Sequence, residues 1–130
     1  MTDQTIAAII RTDYPELGPE TPIRRAAALL VEFGMAAAPV IAEDGRLAGI
    51  LSQKDCFRSA LNASYYREWK GNVADHMTTD VVAVNESDEL FEIAEKFMTL
   101  KYRAFPVLDG TRVRGMLRRS DVLRKLLELG

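Results

Sequence analysis

Two stretches place a carboxylate three residues after two different partners. In "GILSQKDCF", residues 49–57, Ser52 precedes Asp55; in "GMLRRSDVL", residues 115–123, Arg118 precedes Asp121. A serine hydroxyl and a carboxylate at this spacing can close the first turn of a helix reciprocally, as a capping box in which Asp is a shorter fit than the usual Glu or Gln. Arg118 only donates hydrogen bonds, so it cannot accept from an amide, and the box is broken in the second stretch although Asp121 persists. An acid in the first helical turn also gains about 0.3 to 1 kcal/mol from the helix dipole at an exposed site. The other reading is a ligand site. An ionised carboxylate only accepts and can take paired hydroxyls, while free amides at a helix start suit an anion. Arg118 would then either grip a phosphate through two parallel hydrogen bonds or fill the site and leave it empty.

Both stretches end a longer duplication. Ile23, Ala26, Ala27, Leu30 and Phe33 fall at spacings of three and four, and Leu90, Ile93, Ala94, Phe97 and Leu100 repeat them, the apolar face of an amphipathic helix in each copy. Thr21 before Pro22 fits an N-cap followed by proline at the first helical position, and Asp88 occupies the corresponding cap. A strand follows each helix, "AAAPVIAED" and "RAFPVLDG". Pro39 and Pro106 lack a backbone donor and belong at a strand's first residues or on an edge. Turns at Asp44-Gly45 and Asp109-Gly110 lead into "RLAGILS" and "RVRGMLR", which reads as a hairpin in each copy. The copies are offset by 67 residues up to the prolines and by 66 from Gly49 and Gly115 onward, so one deletion in a turn reconciles them. "DVVAV" at 80–84 is a further strand, whereas its counterpart "YPELGPE" is irregular.

Each copy is therefore β-α-β-β-α, an α+β unit, with the first strand weak in copy one. A lone copy of about 50 residues buries too little apolar surface to stand alone, so the two must pack together. The expected division is an N-terminal helical segment at 1–15, repeat one at 16–62, a linker at 63–73 and repeat two at 74–130. Residues 3–12 can form a short amphipathic helix with Ile6, Ile9 and Ile10 on one side, docked on the core or on a second subunit. Tyr65, Tyr66 and Trp69 either cover the junction between the copies or form an aromatic patch for a partner.

With 130 residues, 48% hydrophobic and 28% charged, the chain has globular composition. A net charge of -2 gives no overall reason to bind nucleic acid or an anionic membrane, so any anion site is local. Cys56 is the only cysteine, which excludes an internal disulfide and suits a reducing compartment; it reads as a small core residue. No apolar run approaches a membrane span and "MTDQTIAAII" lacks the basic flank of a signal peptide, so the expected location is cytoplasmic, with no membrane partner. His76 is the only histidine. There is no Walker loop, dinucleotide glycine fingerprint or Ser/His/Asp set in context, so no enzyme activity is supported and no metal or required cofactor is expected.

The duplicated order of strand, helix, "x-P-V" strand and "G-x-x-S-x-x-D" resembles a tandem pair of CBS domains, a stand-alone Bateman module. The stretch from "NVADHMTTDVVAV" through "RRSDVLRKLL" is similar to the family pattern along its length, and copy one from about Pro22 to Leu61. The resemblance implies a pair packed with pseudo-twofold symmetry around two clefts, an adenosine-containing ligand such as AMP, ADP, ATP, NAD or S-adenosylmethionine, and association into a homodimer.

Residue by residue, it implies that Asp55 and Asp121 each hold a ribose and that Ser52 joins the ribose-phosphate contact. Pro39, Val40, Pro106, Val107 and Val82 would flank an adenine slot. Ala83 stands where the family often has Thr, leaving backbone groups to read the base. Arg103, opposite Ala36 in copy one, lies where a phosphate-contacting base is common. Arg112, Arg114, Arg118, Arg119, Arg124 and Lys125 make the C-terminal region locally basic, as a solvated face or as help for a charged ligand, and a charge-bearing adenosine ligand with stronger salt dependence is expected at Arg118. The leading expectation is a regulatory module signalling to an unidentified protein. The alternative is a structural dimerisation module with vestigial, unoccupied clefts; nucleic-acid binding by the basic face is the weakest.

Overall fold

The structure, a computed structural model, describes residues 6–130. The chain forms two compact units, one of residues 14–81 and the other of residues 82–130 together with the segment that ends at Asp13.

In the first unit the three-and-four spacing becomes α1 (Ile23–Phe33), which buries Ile23, Ala26 and Leu30. Gly34 ends it with φ 64, the left-handed conformation that frees its N–H to turn back on the last carbonyls. β1 (Ala37–Ile41) and β2 (Leu47–Ser52) then pair antiparallel, with Pro39 opposite Ile50 and Val40 opposite Gly49. A turn at Lys54–Cys56 leads into α2 (Phe57–Tyr66). Two further segments border this hairpin: Leu17 forms a parallel bridge to Val40, and Thr78 an antiparallel bridge to Ile50.

The second unit has the same plan. β3 (Val84–Asn85) runs parallel to β4 (Ala104–Asp109), and β4 pairs antiparallel with β5 (Arg112–Arg118). α3 (Leu90–Thr99) and α4 (Arg119–Leu129) complete it. Here Arg11 supplies the antiparallel bridge, to Met116. A register shift falls at Val40/Ile41 in one unit and at Val107/Leu108 in the other. Pro106 stands opposite Met116 of β5 and precedes the two residues of β4 that β3 pairs.

The core of the second unit gathers Ile6, Leu90, Ile93, Phe105, Val107 and Leu117, with the Phe97 and Phe105 rings stacked at 4.4 Å. Burying each large side chain contributes about 1.5 to 3 kcal/mol.

Several expectations change. The expected first strand of copy one is reduced to the Leu17 bridge, and "DVVAV" is strand only at Val84, continuing to Asn85. The helix expected over 3–12 is a single 3-10 turn, Ala7–Ile9; Ile6 is buried in the core of the second unit with Ile9 and Ile10 packed against it, and residues 3–5 of that expectation lie outside the described residues. The compact units thus group residues 6–13 with 82–130 and 74–81 with 14–73, across the divisions read from sequence. Thr21 does not cap α1: its hydroxyl accepts from the Gly18 N–H at 2.9 Å, and Pro22 takes the cap position. Asp88 accepts from the Asn85 N–H at 2.9 Å, and Glu89 takes the cap position of α3 without a side-chain hydrogen bond. Tyr65 and Tyr66 are exposed at the end of α2, their rings 6.4 Å apart. Among the described residues no helix is long and apolar enough to cross a membrane.

Candidate functional site

Both helix starts are built on one backbone frame. At the first, the Gln53 N–H donates to the Ala36 carbonyl at 2.8 Å; at the second, the Arg119 N–H donates to the Arg103 carbonyl at 2.8 Å. Each ties the start of the closing helix to the residue before its hairpin. Beside each frame an outside segment crosses at a glycine. A Cβ on Gly49 would lie 2.6 Å from the Thr78 carbonyl oxygen, and one on Gly115 would collide with the Arg11 carbonyl. Only glycine admits the two bridges, Thr78 to Ile50 and Arg11 to Met116.

Within that frame the side chains differ. Ser52 and Asp55 form the reciprocal cap: the Ser52 N–H donates to Asp55 Oδ2 at 2.9 Å and the Asp55 N–H to Ser52 Oγ at 3.1 Å. Among the described residues Asp55 Oδ1 accepts no hydrogen bond. Asp121 is gripped instead. Arg118 donates from Nε to Oδ2 at 2.8 Å and from Nη2 to Oδ1 at 2.9 Å, and Arg124 Nη1 reaches Oδ1 at 3.4 Å. The broken capping box is therefore replaced by a two-pronged ion pair. That hydrogen bonding, against an opposing burial effect, holds the Asp121 carboxyl below the usual carboxylate range and pushes the Arg118 guanidinium up.

A groove of about 240 Å³ opens beside this ion pair, walled by Ile9 and Ile10 and lined by Arg11, Arg118, Asp121, Arg124, Lys125 and Glu128. At the matching positions of the first unit, Ser59 replaces Lys125 and His76 replaces Ile9, and the two hydrogen-bond at 3.1 Å. Burial raises the Cys56 thiol, with a smaller push from the Asp55 charge, so Cys56 is a core residue and no ready nucleophile.

The other residues singled out from sequence are dispersed. Val40 and Val107 are fully buried, and Pro39 and Pro106 are buried between them and their strands' start, so these side chains carry the core in this conformation. Val82 packs half-buried against the second core. The Arg103 side chain is exposed; its carbonyl, not its guanidinium, serves the helix start. Arg114 pairs with Glu86 at 2.9 Å, away from the groove residues. Sequence reasoning missed Gly49, Gly115, Ile10, Arg11 and Thr78. A signal existed: "AIIRTD" at 8–13 and "DHMTTD" at 75–80 keep the 67-residue offset, so the duplication extends to the crossing segments.

A duplicated α+β unit that ends in a helix opened by an acid, with its sheet bordered by a crossing segment, defines a class of tandem repeat proteins. The family model of the CBS domain matches residues 6–62 and 73–128, and the chain belongs to that family as a pair of CBS domains. CBS-pair proteins are generally regulatory, non-catalytic modules, and the family match indicates no catalytic family.

The chain is similar to CBSX2 of Arabidopsis thaliana, solved in complex with AMP: 28% identity, 98% of each chain covered, TM-score 0.82. It is also similar to MJ1225 of Methanocaldococcus jannaschii, proposed to be an archaeal homologue of γ-AMPK, at 27% identity over 95% of this chain and 48% of that one, TM-score 0.80. An uncharacterized 33.4 kDa protein of Thermofilum pendens is 30% identical over 93% of this chain. The chain spans 39% and 47% of the first curated relatives it matches.

Proposed function

We propose that the chain is a regulatory module that senses an adenosine-containing nucleotide and passes its occupancy to a partner protein. One observation carries this: Asp55 sits half-buried at a helix start with Oδ1 unclaimed, where it can accept a ribose hydroxyl without losing its cap. The AMP held by the similar Arabidopsis protein supports the ligand class. Regulation then follows from a difference in affinity between two arrangements of the chain, since a ligand shifts an equilibrium only by that difference.

Thermal unfolding against adenosine, AMP, ADP, ATP, NAD and S-adenosylmethionine tests it. A true ligand at 100 times its dissociation constant raises stability by about 2.7 kcal/mol, and Asp55→Asn diminishes that gain. A flat panel sinks the proposal.

A structural dimerisation module is the second reading, favoured by one feature. Phe57 and Leu61 on α2 and Leu123 and Leu127 on α4 occupy equivalent repeat positions, and all four are exposed. Native mass spectrometry, reading retained small molecule and subunit count together, separates the two: dimers without ligand select the second.

A further inference from the structure

We propose that each repeat is held closed by a strap that the other repeat supplies, so that loosening one strap is felt in the repeat from which it comes. The inference concerns the unliganded chain and stands apart from the nucleotide reading.

The family match counts residues 6–13 with the first CBS domain and residues 73–81 with the second. Packing divides them the other way: residues 6–13 belong to the compact unit of 82–130, and residues 73–81 to the unit of the first repeat. The exchange is reciprocal. The first strap buries Ile6 completely in the second core, and Arg11 and Met116 trade two backbone hydrogen bonds of 2.8 and 2.9 Å. The second strap buries Val73 completely, its N–H donating to the Thr21 carbonyl at 2.8 Å, and Thr78 and Ile50 trade two backbone hydrogen bonds of 2.9 Å. Gly115 and Gly49 leave no room for a side chain beneath either strap, so both straps lie in built tracks. Each track passes a helix start: Ala8 and Arg11 line the groove beside Asp121, and His76 shares a hydrogen bond with Ser59 of α2 at 3.1 Å.

Beyond its track each strap is soon anchored again, in its own repeat. Arg11 leads to Leu17, which is buried and accepts from the Ile41 N–H at 2.8 Å. Thr78 leads to Val84, which is buried and pairs with Val107, and next to it the Glu86 N–H donates to the Leu108 carbonyl at 2.9 Å. Both pairs of anchors lie six positions apart, at most about 20 Å of extended chain. A segment held at both ends gains less freedom on opening than one held at a single end, because the distant anchor limits the conformations it can reach. Undocking a strap from one repeat therefore lowers the cost of opening the adjoining segment in the other. Docked and undocked straps are the two states through which a change at one helix start reaches the other repeat.

Hydrogen exchange of the unliganded full chain, read amide by amide by NMR, tests this. Ile6→Val and Ile93→Val remove the same group from the same core, where both residues are fully buried, but only Ile6 lies on a strap. Ile6→Val is expected to speed exchange of the Ile41 N–H at least about threefold, and Ile93→Val to leave it within about twofold. In the other direction Val73→Ala speeds the Glu86 N–H by a similar factor, and Val40→Ala, equally buried but off the strap, does not. Inserting about four Gly and Ser residues between Thr12 and Asp13 slackens the leash, and Ile6→Val then acts on the Arg11 N–H without reaching Ile41. An Ile41 N–H unmoved by Ile6→Val, moved as much by Ile93→Val, or still responding across the slackened leash overturns the proposal. Where Ile6→Val leaves even the Arg11 N–H unmoved, the strap has not been loosened, and Ile6→Ala replaces it under the same readings.

Discussion

The starts of α2 and α4 are one backbone arrangement carrying opposite electrostatics. Each is tied to its hairpin by an N–H to carbonyl bond of 2.8 Å, and each is crossed by an outside segment at a glycine. At α2 a neutral hydroxyl caps the helix and leaves part of a carboxylate unclaimed; at α4 an arginine claims the whole carboxylate and turns the rest of its charge outward. Duplication preserved what the backbone requires. It left free to diverge what a ligand reads.

The largest expected effect tests what the two share. Gly115→Ala drives a methyl into the Arg11 carbonyl and should cost about 3 kcal/mol of stability, measured by urea unfolding. Gly49→Ala should cost a similar amount against the Thr78 carbonyl; a silent variant at either position breaks the common frame.

Next comes the difference between the acids. Asp121→Ala strands Arg118 and Arg124 beside a buried site and should destabilise by about 2 kcal/mol, against about 1 kcal/mol for Asp55→Ala, which removes one side of a cap. Equal losses would mean that the arginine pair adds nothing to the cap it replaces.

The smallest effect is in acid. Arg118 holds the folded Asp121 carboxyl below its unfolded value, so the stabilisation is complete above roughly pH 3.9 and is lost as pH falls through the lower folded value. In Arg118→Ser that acid-labile part should shrink, seen as a flatter dependence of the urea midpoint on pH below about 4. An unchanged slope would assign the lowered titration to another group.

Much of this was legible in sequence. The periodicity of Ile23 to Leu30 and of Leu90 to Phe97 declares two amphipathic helices, and the prolines and Asp-Gly turns declare two hairpins, because these signals act over a few residues. The acids at positions 55 and 121 stood out by their equal spacing from the repeated glycines. The caps were misread at Thr21 and Asp88, since a short polar side chain can satisfy any of several nearby amides, and the loop closure ahead of each helix chose a different one.

The sequence by itself determined a twofold α+β repeat with an acid opening each closing helix, since hydrophobic period, turn chemistry and duplication are properties of neighbouring residues. Only the tertiary structure decided that Arg11 and Ile10 border the hairpin about 100 residues away, and that Arg118 grips Asp121 with both prongs and not an outside anion. Such choices depend on which distant backbone covers an open sheet edge and on which charge is buried beside it, and no local pattern records either.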